Sequence, residues 1–200
     1  ATALTRLGRF REAEPLFRTV KAWFLGDEEQ AGGSAADGAG AAADGDAARG
    51  EGPGRRTMAA VAASNLGVLA YYLGRYGEAL SEYEEAREGF ARAGSEAQRA
   101  MVSDNIAETY LELNLLAESH ALAEEAAATF QRLNLPGHRA RAELNQARAL
   151  LRERPRRGET ALELLRRARE TLAAQGDPVW THLAGLDLAG ALLDSDPAEA

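Results

Sequence analysis

Apolar residues recur at one spacing in four parts of the chain. Ala79, Tyr83, Ala86 and Phe90 stand at offsets 0, 4, 7 and 11, which is one face of an α-helix. The same face returns as Ser119, Ala123, Ala126 and Phe130, as Ala161, Leu165, Ala168 and Leu172, and early on as Ala13, Phe17, Val20 and Phe24. A second series alternates with it. NLGVLAYYLG begins at Asn65, NIAETYLELN at Asn105, NQARALLRER at Asn145 and DLAGALLDSD at Asp187, so the starts follow at an almost constant interval. The last interval is slightly longer, and its excess falls in the turn RERPRRGE, where an insertion is easily accommodated. The pattern predicts a helical hairpin repeated about every 40 residues.

Turn chemistry supports this division. Gly8, Gly74 and Asn114 separate the first and second helix of their units, and Gly94, Asn134 and Gly176 close the second. Glycine and asparagine tolerate the left-handed backbone that ends a helix. Pro136 and Pro178 come shortly after a closing residue, where proline can open the next helix. Gly67, Ala107, Ala147 and Ala189 share one repeat position, expected where two helices approach closely. Leu66, Leu73, Tyr83 and Phe90 read as core, and Tyr76 as packing at the hairpin turn.

A single hairpin cannot bury its apolar face, whereas stacked hairpins share a core. The expected fold is therefore all-α, an α-solenoid of stacked antiparallel helical hairpins. Residues 1–25 read as the end of a first hairpin, 57–95, 96–136 and 137–177 as three repeats, and 178–200 as the start of another. Both ends fall within a repeat: ATALTRLG reads as the tail of a first helix and DPAEA as the start of a second, as in a piece of a longer protein. The step from Ala13 to Ala79 is much longer than one repeat, and residues 26–56 hold the excess. That stretch has nine of the 20 glycines, seven acids against three arginines, and almost no large apolar side chain. Burial there cannot offset the entropy of ordering, so a flexible acidic insertion is expected.

Composition narrows the chemistry. A net charge of −8 argues against nucleic acid or an anionic membrane surface as partner, since both call for clustered cations. The longest near-apolar run, 58–74, is too short for a confident span. With no cysteine, thiolate catalysis and Cys-ligated zinc are excluded, and the chain fits a reducing, cytoplasmic setting. Arginine with a single lysine, Lys21, and abundant alanine and glycine suggests a GC-rich bacterial source. GAGAAA at 38–43 matches a dinucleotide fingerprint in letters but lacks the flanking strand and helix. His120, His138 and His182 are scattered, without a metal-binding pair. Glu124 and Glu125 read as a solvated face. No catalytic constellation stands out; the expectation is a non-enzyme without metal or cofactor.

The residues Leu66-Gly67, Gly74-Arg75-Tyr76, Ala79, Tyr83 and Ala86 resemble the tetratricopeptide repeat over residues 1–25 and 57–200. The period is about 40 where 34 is usual, implying longer helices, and the first-helix tryptophan is absent. Longer repeats of this kind resemble those of kinesin light chains and of bacterial arrays attached to CHAT-type proteases. The resemblance implies a concave surface lined by first helices. Four stripes would lie across it: Val61, Asn65, Val68 and Tyr72; Met101, Asn105, Glu108 and Glu112; Arg141, Asn145, Arg148 and Arg152; Leu183, Asp187, Gly190 and Asp194.

Asn65, Asn105 and Asn145 then form a ladder that either hydrogen-bonds the backbone of an extended peptide or bonds neighbouring helices. Acids at Asp104, Glu108 and Glu112 beside bases at Arg141, Arg148 and Arg152 either give the groove polarity toward a charged ligand or pair with each other. The carboxylate clamp of chaperone-binding repeats is not reproduced, because Ser64 and Val68 occupy its positions. The implied function is a protein-interaction scaffold that binds a protein or peptide through this groove, with Tyr72 as an apolar contact and Asp187 at its far side. Two alternatives stand beside it. One is the regulatory array of a larger enzyme, such as a CHAT-like protease; the other is self-association through exposed repeat ends.

Overall fold

Six residues hold left-handed backbone beside the described helices, Gly8 just before the first of them and Gly74, Gly94, Asn114, Asn134 and Gly176 between successive ones, with φ between 55 and 71°. All six are the expected turn residues. At Gly74 the N–H bonds the Tyr71 carbonyl while Arg75 N–H reaches back to Ala70, the paired bonds of a Schellman ending. Leu115 to Tyr110, Ser95 to Phe90, Leu135 to Phe130 and Asp177 to Leu172 repeat the longer bond at the other breaks. Each break thus satisfies carbonyls that a helix end otherwise leaves orphaned.

The computed structural model describes residues 8–25, 53–153 and 158–195. They form helices α1 (Phe10–Leu25), α2 (Pro53–Tyr72), α3 (Tyr76–Arg92), α4 (Glu96–Glu112), α5 (Leu116–Arg132), α6 (Pro136–Glu153), α7 (Gly158–Ala174) and α8 (Pro178–Ser195), with no strand among the described residues. Pro136 and Pro178 open α6 and α8, at the first turn where a missing N–H costs nothing. The chain divides into two compact units, Ala1–Ser95 and Glu96–Ala200. Within each unit successive helices pack on one another, and in the second unit α4 also meets α6, and α6 meets α8. The fold is an all-α helical-repeat solenoid.

In the first unit Ala13, Phe17, Leu66 and Leu69 make a core, flanked by Phe10 and Leu73. Lys21 of α1 joins Glu82 and Glu85 of α3 at 2.8 and 2.6 Å, and Glu14 joins Arg75 at 2.9 Å. Tyr76 lies 5.7 Å from Tyr71 across the hairpin turn. Gly67 shows why its position calls for a small residue: a Cβ there would lie 2.5 Å from two ring carbons of Tyr83, a ring only 2 % exposed. Gly67→Ala is therefore expected to destabilise the first unit by about 2 kcal/mol through overpacking. Urea unfolding followed by circular dichroism checks this, and an unchanged midpoint would mean that the ring yields.

In the second unit Ala100, Ala126, Ala127, Phe130 and Ala142 form one core cluster. Leu144, Ala147, Leu165, Ala168 and Leu172 belong to another. Ala107 and Ala147 are fully buried at the Gly67 position, but Ala189 is exposed. This corrects the expectation for the fourth copy. The small-residue face packs on the second helix of its own hairpin, as Gly67 does on Tyr83, and no second helix follows α8 among the described residues.

Val20 departs from its expected burial for the mirror-image reason. At 40 % exposure it occupies the place of the buried Ala86, in the row that α3 turns toward the first helix of its own hairpin, where Gly89 meets Ala60. The stretch read as an insertion ends earlier than expected, since residues 53–56 belong to α2. Residues 26–52 lie outside the described residues, as do the terminal stretches 1–7 and 196–200 and the turn residues 154–157.

Candidate functional site

The first helices of the second unit, α4, α6 and α8, meet through polar side chains. Asn145 on α6 is 4 % exposed and its Nδ2 donates to Asp104 Oδ1 on α4 at 2.9 Å. Further along α6, Arg148 Nε donates to Asp187 Oδ2 on α8 at 2.8 Å, and Arg152 Nη1 donates to the Leu111 carbonyl on α4 at 2.8 Å. The repeat period brings these residues level, because helices one repeat apart present equivalent positions side by side.

The asparagine ladder therefore divides. Asn145 is engaged between helices. Asn65, in the first unit, donates to the Val61 carbonyl of its own helix at 2.9 Å. Asn105 is half-buried; its backbone carbonyl accepts from Thr109 Oγ1, and its side-chain amide has no hydrogen bond with the described residues. Glu108 is half-buried and Glu112 exposed. Arg148 and Asp187 are mostly buried by their own pairing, at 22 and 27 % side-chain exposure. In the first unit Val68 is half-buried, while Tyr72 is 62 % exposed with its ring stacked on Phe10 at 5.3 Å. The side chain of Asp194 lies outside the described residues.

Asp104 is corrected most clearly. It was expected as part of an acidic groove wall, yet it is 6 % exposed beneath the stripe. Burial pushes its carboxyl up to about 6, against the Asn145 hydrogen bond and the charges of Arg141 and Arg148, while Glu108 adds to the rise. Arg141 lies with Cζ 4.3 Å from the ring centroid of Trp180 on α8, and its Nε is buried without a hydrogen-bond partner. His138, one turn before Arg141, lies with its ring tilted 30° against that of Phe130 at 5.3 Å; burial, then the Arg141 charge, lowers its pKa.

Trp180 escaped the sequence reading because it stands at the helix start, outside the compared offsets. Its signal was its place one repeat after His138, which puts both in the same row of first-helix positions. Glu143 escaped as well. It is 3 % exposed and held by Arg139 at 2.7 Å and Arg167 at 2.9 Å, at the repeat position of the buried Ser103. Among the described residues no group of acids and histidines could hold a metal ion, and no helix is long and apolar enough to cross a membrane.

Comparison with known proteins agrees with this geometry. Among solved structures the chain is similar to BtubC (BKLC) from P. vanneervenii, with a TM-score of 0.57 and 19% sequence identity over 96% of this chain and 76% of that one. At this identity the likeness shows the fold alone. No curated protein matches the chain. The tetratricopeptide-repeat family model matches residues 58–132, which span α3 to α5 and most of α2. With hairpins recurring at a regular period, left-handed closing turns and a family match across them, residues 58–132 carry a tetratricopeptide-repeat array.

Proposed function

We propose that this array is a protein-interaction scaffold whose second unit binds an extended peptide along the α4–α6–α8 face. Tetratricopeptide repeats are protein-interaction modules, which supports the general reading. The observation that carries the finer one is Asn105. Its half-buried side-chain amide makes no hydrogen bond with the described residues and stands on the stripe between acidic Glu108 and Glu112 and basic Arg141. An amide offers a donor and an acceptor, the pair that an extended peptide backbone presents in return.

Asn145 and Arg148 act from beneath, fixing the spacing of the three helices through Asp104 and Asp187. In the first unit Tyr72 offers an exposed ring already braced by Phe10, suited to an apolar contact. Selecting peptides from a random library on the whole chain, then measuring their affinity for Asn105→Ala, tests the reading. Loss of an amide–backbone pair predicts about five- to tenfold weaker binding with helicity unchanged. Equal affinity for both proteins would move the site off this face.

A further inference from the structure

We propose that a cavity in the first unit, on the side of α2 away from the Asn65 stripe, takes a small carboxylic acid with a short apolar body. The cavity measures about 280 Å3. Arg56, Ala59 and Ala60 of α2 line it with Glu85, Gly89 and Arg92 of α3, and Leu25 at the end of α1 closes one side. Each residue turns an α-helix by about 100°, so 56, 59 and 60 share one face of α2, while Val61, Asn65, Val68 and Tyr72 share the opposite one. The proposal therefore does not rest on the reading of the α4–α6–α8 face.

The next repeat shows what chemistry the cavity mouth suits. There Glu96 stands in the place of Arg56 and Arg132 in the place of Arg92, and Arg132 Nη2 donates to Glu96 Oε1 at 2.8 Å. The first unit puts an arginine at both places. Two like charges across one opening repel, and an anion between them turns the repulsion into attraction. Of the acids beside it, Glu85 is shared with Lys21 at 2.6 Å. Glu88 reaches Arg92 only at 3.9 Å, with the two side chains 70 and 63 % exposed. A ligand carboxylate at the mouth would meet two guanidinium groups where Glu96 meets one, in the planar geometry that arginine offers a carboxylate.

Behind the mouth the wall is apolar. Gly89 lies so close to α2 that a Cβ there would be 2.7 Å from the Ala60 methyl, and this contact closes the floor. Ala59 stands where the following repeats carry Arg99 and Arg139, so a small residue opens room that a long side chain has elsewhere. Ligand pockets start at about 300 Å3, which fits a body of only a few carbons.

The test titrates the whole chain with acetate, butyrate and hexanoate, and with hexanamide and inorganic phosphate as contrasts, following the Arg56 and Arg92 Nε–H resonances by NMR. Saturable shifts at both arginines are expected with hexanoate. Affinity should rise about three- to fourfold for each added methylene until the cavity is filled, and hexanamide should bind at least about tenfold more weakly than hexanoate. Arg56→Glu recreates the Glu96–Arg132 pairing within the first unit, so it should abolish binding with helicity unchanged. Arg92→Gln, at an exposed side chain, should weaken binding about five- to tenfold. Should Arg56→Glu lose helicity, Arg92→Gln decides alone. The proposal is overturned if hexanamide binds as well as hexanoate, if acetate and hexanoate bind alike, or if phosphate is preferred. It is equally overturned if the folded variants bind as the parent does, or if hexanoate fails to saturate by about 10 mM.

Discussion

Phe130→Ala is expected to cost the second unit about 4 kcal/mol, the largest loss expected of any single substitution named for this chain. Phe130 is fully buried. The side chains around it are small: Ala100 on α4, Ala126 and Ala127 on α5, and Ala142 on α6, with Met101 and Leu135 at the margin. Alanines cannot swing into a phenyl-sized space, and the three backbones are held apart by their other contacts. The cavity term should therefore add nearly in full to the lost transfer energy. The tilted His138 ring, 5.3 Å away, loses its aromatic neighbour as well.

Urea unfolding followed by circular dichroism measures the change. A repeat array need not unfold in one step, so the transition of the second unit should move ahead of that of the first. A loss below about 1 kcal/mol would mean that α4, α5 and α6 close over the hole and that packing here is softer than the burial implies.

Asp104→Asn is expected to stabilise the protein at pH 8 and to leave it nearly unchanged at pH 4. The folded carboxyl titrates near 6 against an ordinary value of 3.8. Between those two pH values the native state therefore binds more protons than the unfolded state, and the Asp104 contribution to stability falls as pH rises through the interval. Above the folded value the ionised, buried carboxylate costs about 3 kcal/mol relative to its neutral form. Asparagine mimics the neutral acid and can keep the hydrogen bond with Asn145 after an amide flip.

The difference in stability between variant and parent should therefore grow from pH 4 to pH 7 and then level off. Taking the difference matters, because other carboxyls slope the opposite way. Glu14, held low by hydrogen bonds from Arg75 and Arg18, loses its contribution as pH falls. A constant difference across the range would show that Asp104 is ionised in the fold at no cost, with Arg141 and Arg148 as sufficient counter-ions.

Local chemistry was decided by the sequence alone. Each described helix break rests on a glycine or asparagine that accepts positive φ, and each of the six adopts it. The spacing of Ala161, Leu165, Ala168 and Leu172 marks a face that is buried throughout, because helical periodicity acts over a few residues and needs no knowledge of the partner. The repeat period likewise fixes which positions become neighbours, and so Asn145, Arg148 and Arg152 were legible as one stripe.

What each stripe residue touches was decided only by the tertiary structure. The side-chain amides of Asn65, Asn105 and Asn145 share a repeat position, yet the first bonds its own helix, the second has no hydrogen bond with the described residues, and the third grips Asp104. Equivalent positions meet different neighbours wherever the sequence of the adjacent repeat changes. Trp180 turns Arg141 into a stacked cation in the same way, and burial turns Asp104 from a surface acid into a carboxyl that titrates near 6. Ala189 and Val20 lie exposed at positions that are buried elsewhere, since burial belongs to a pair of helices and a single helix supplies only half of it.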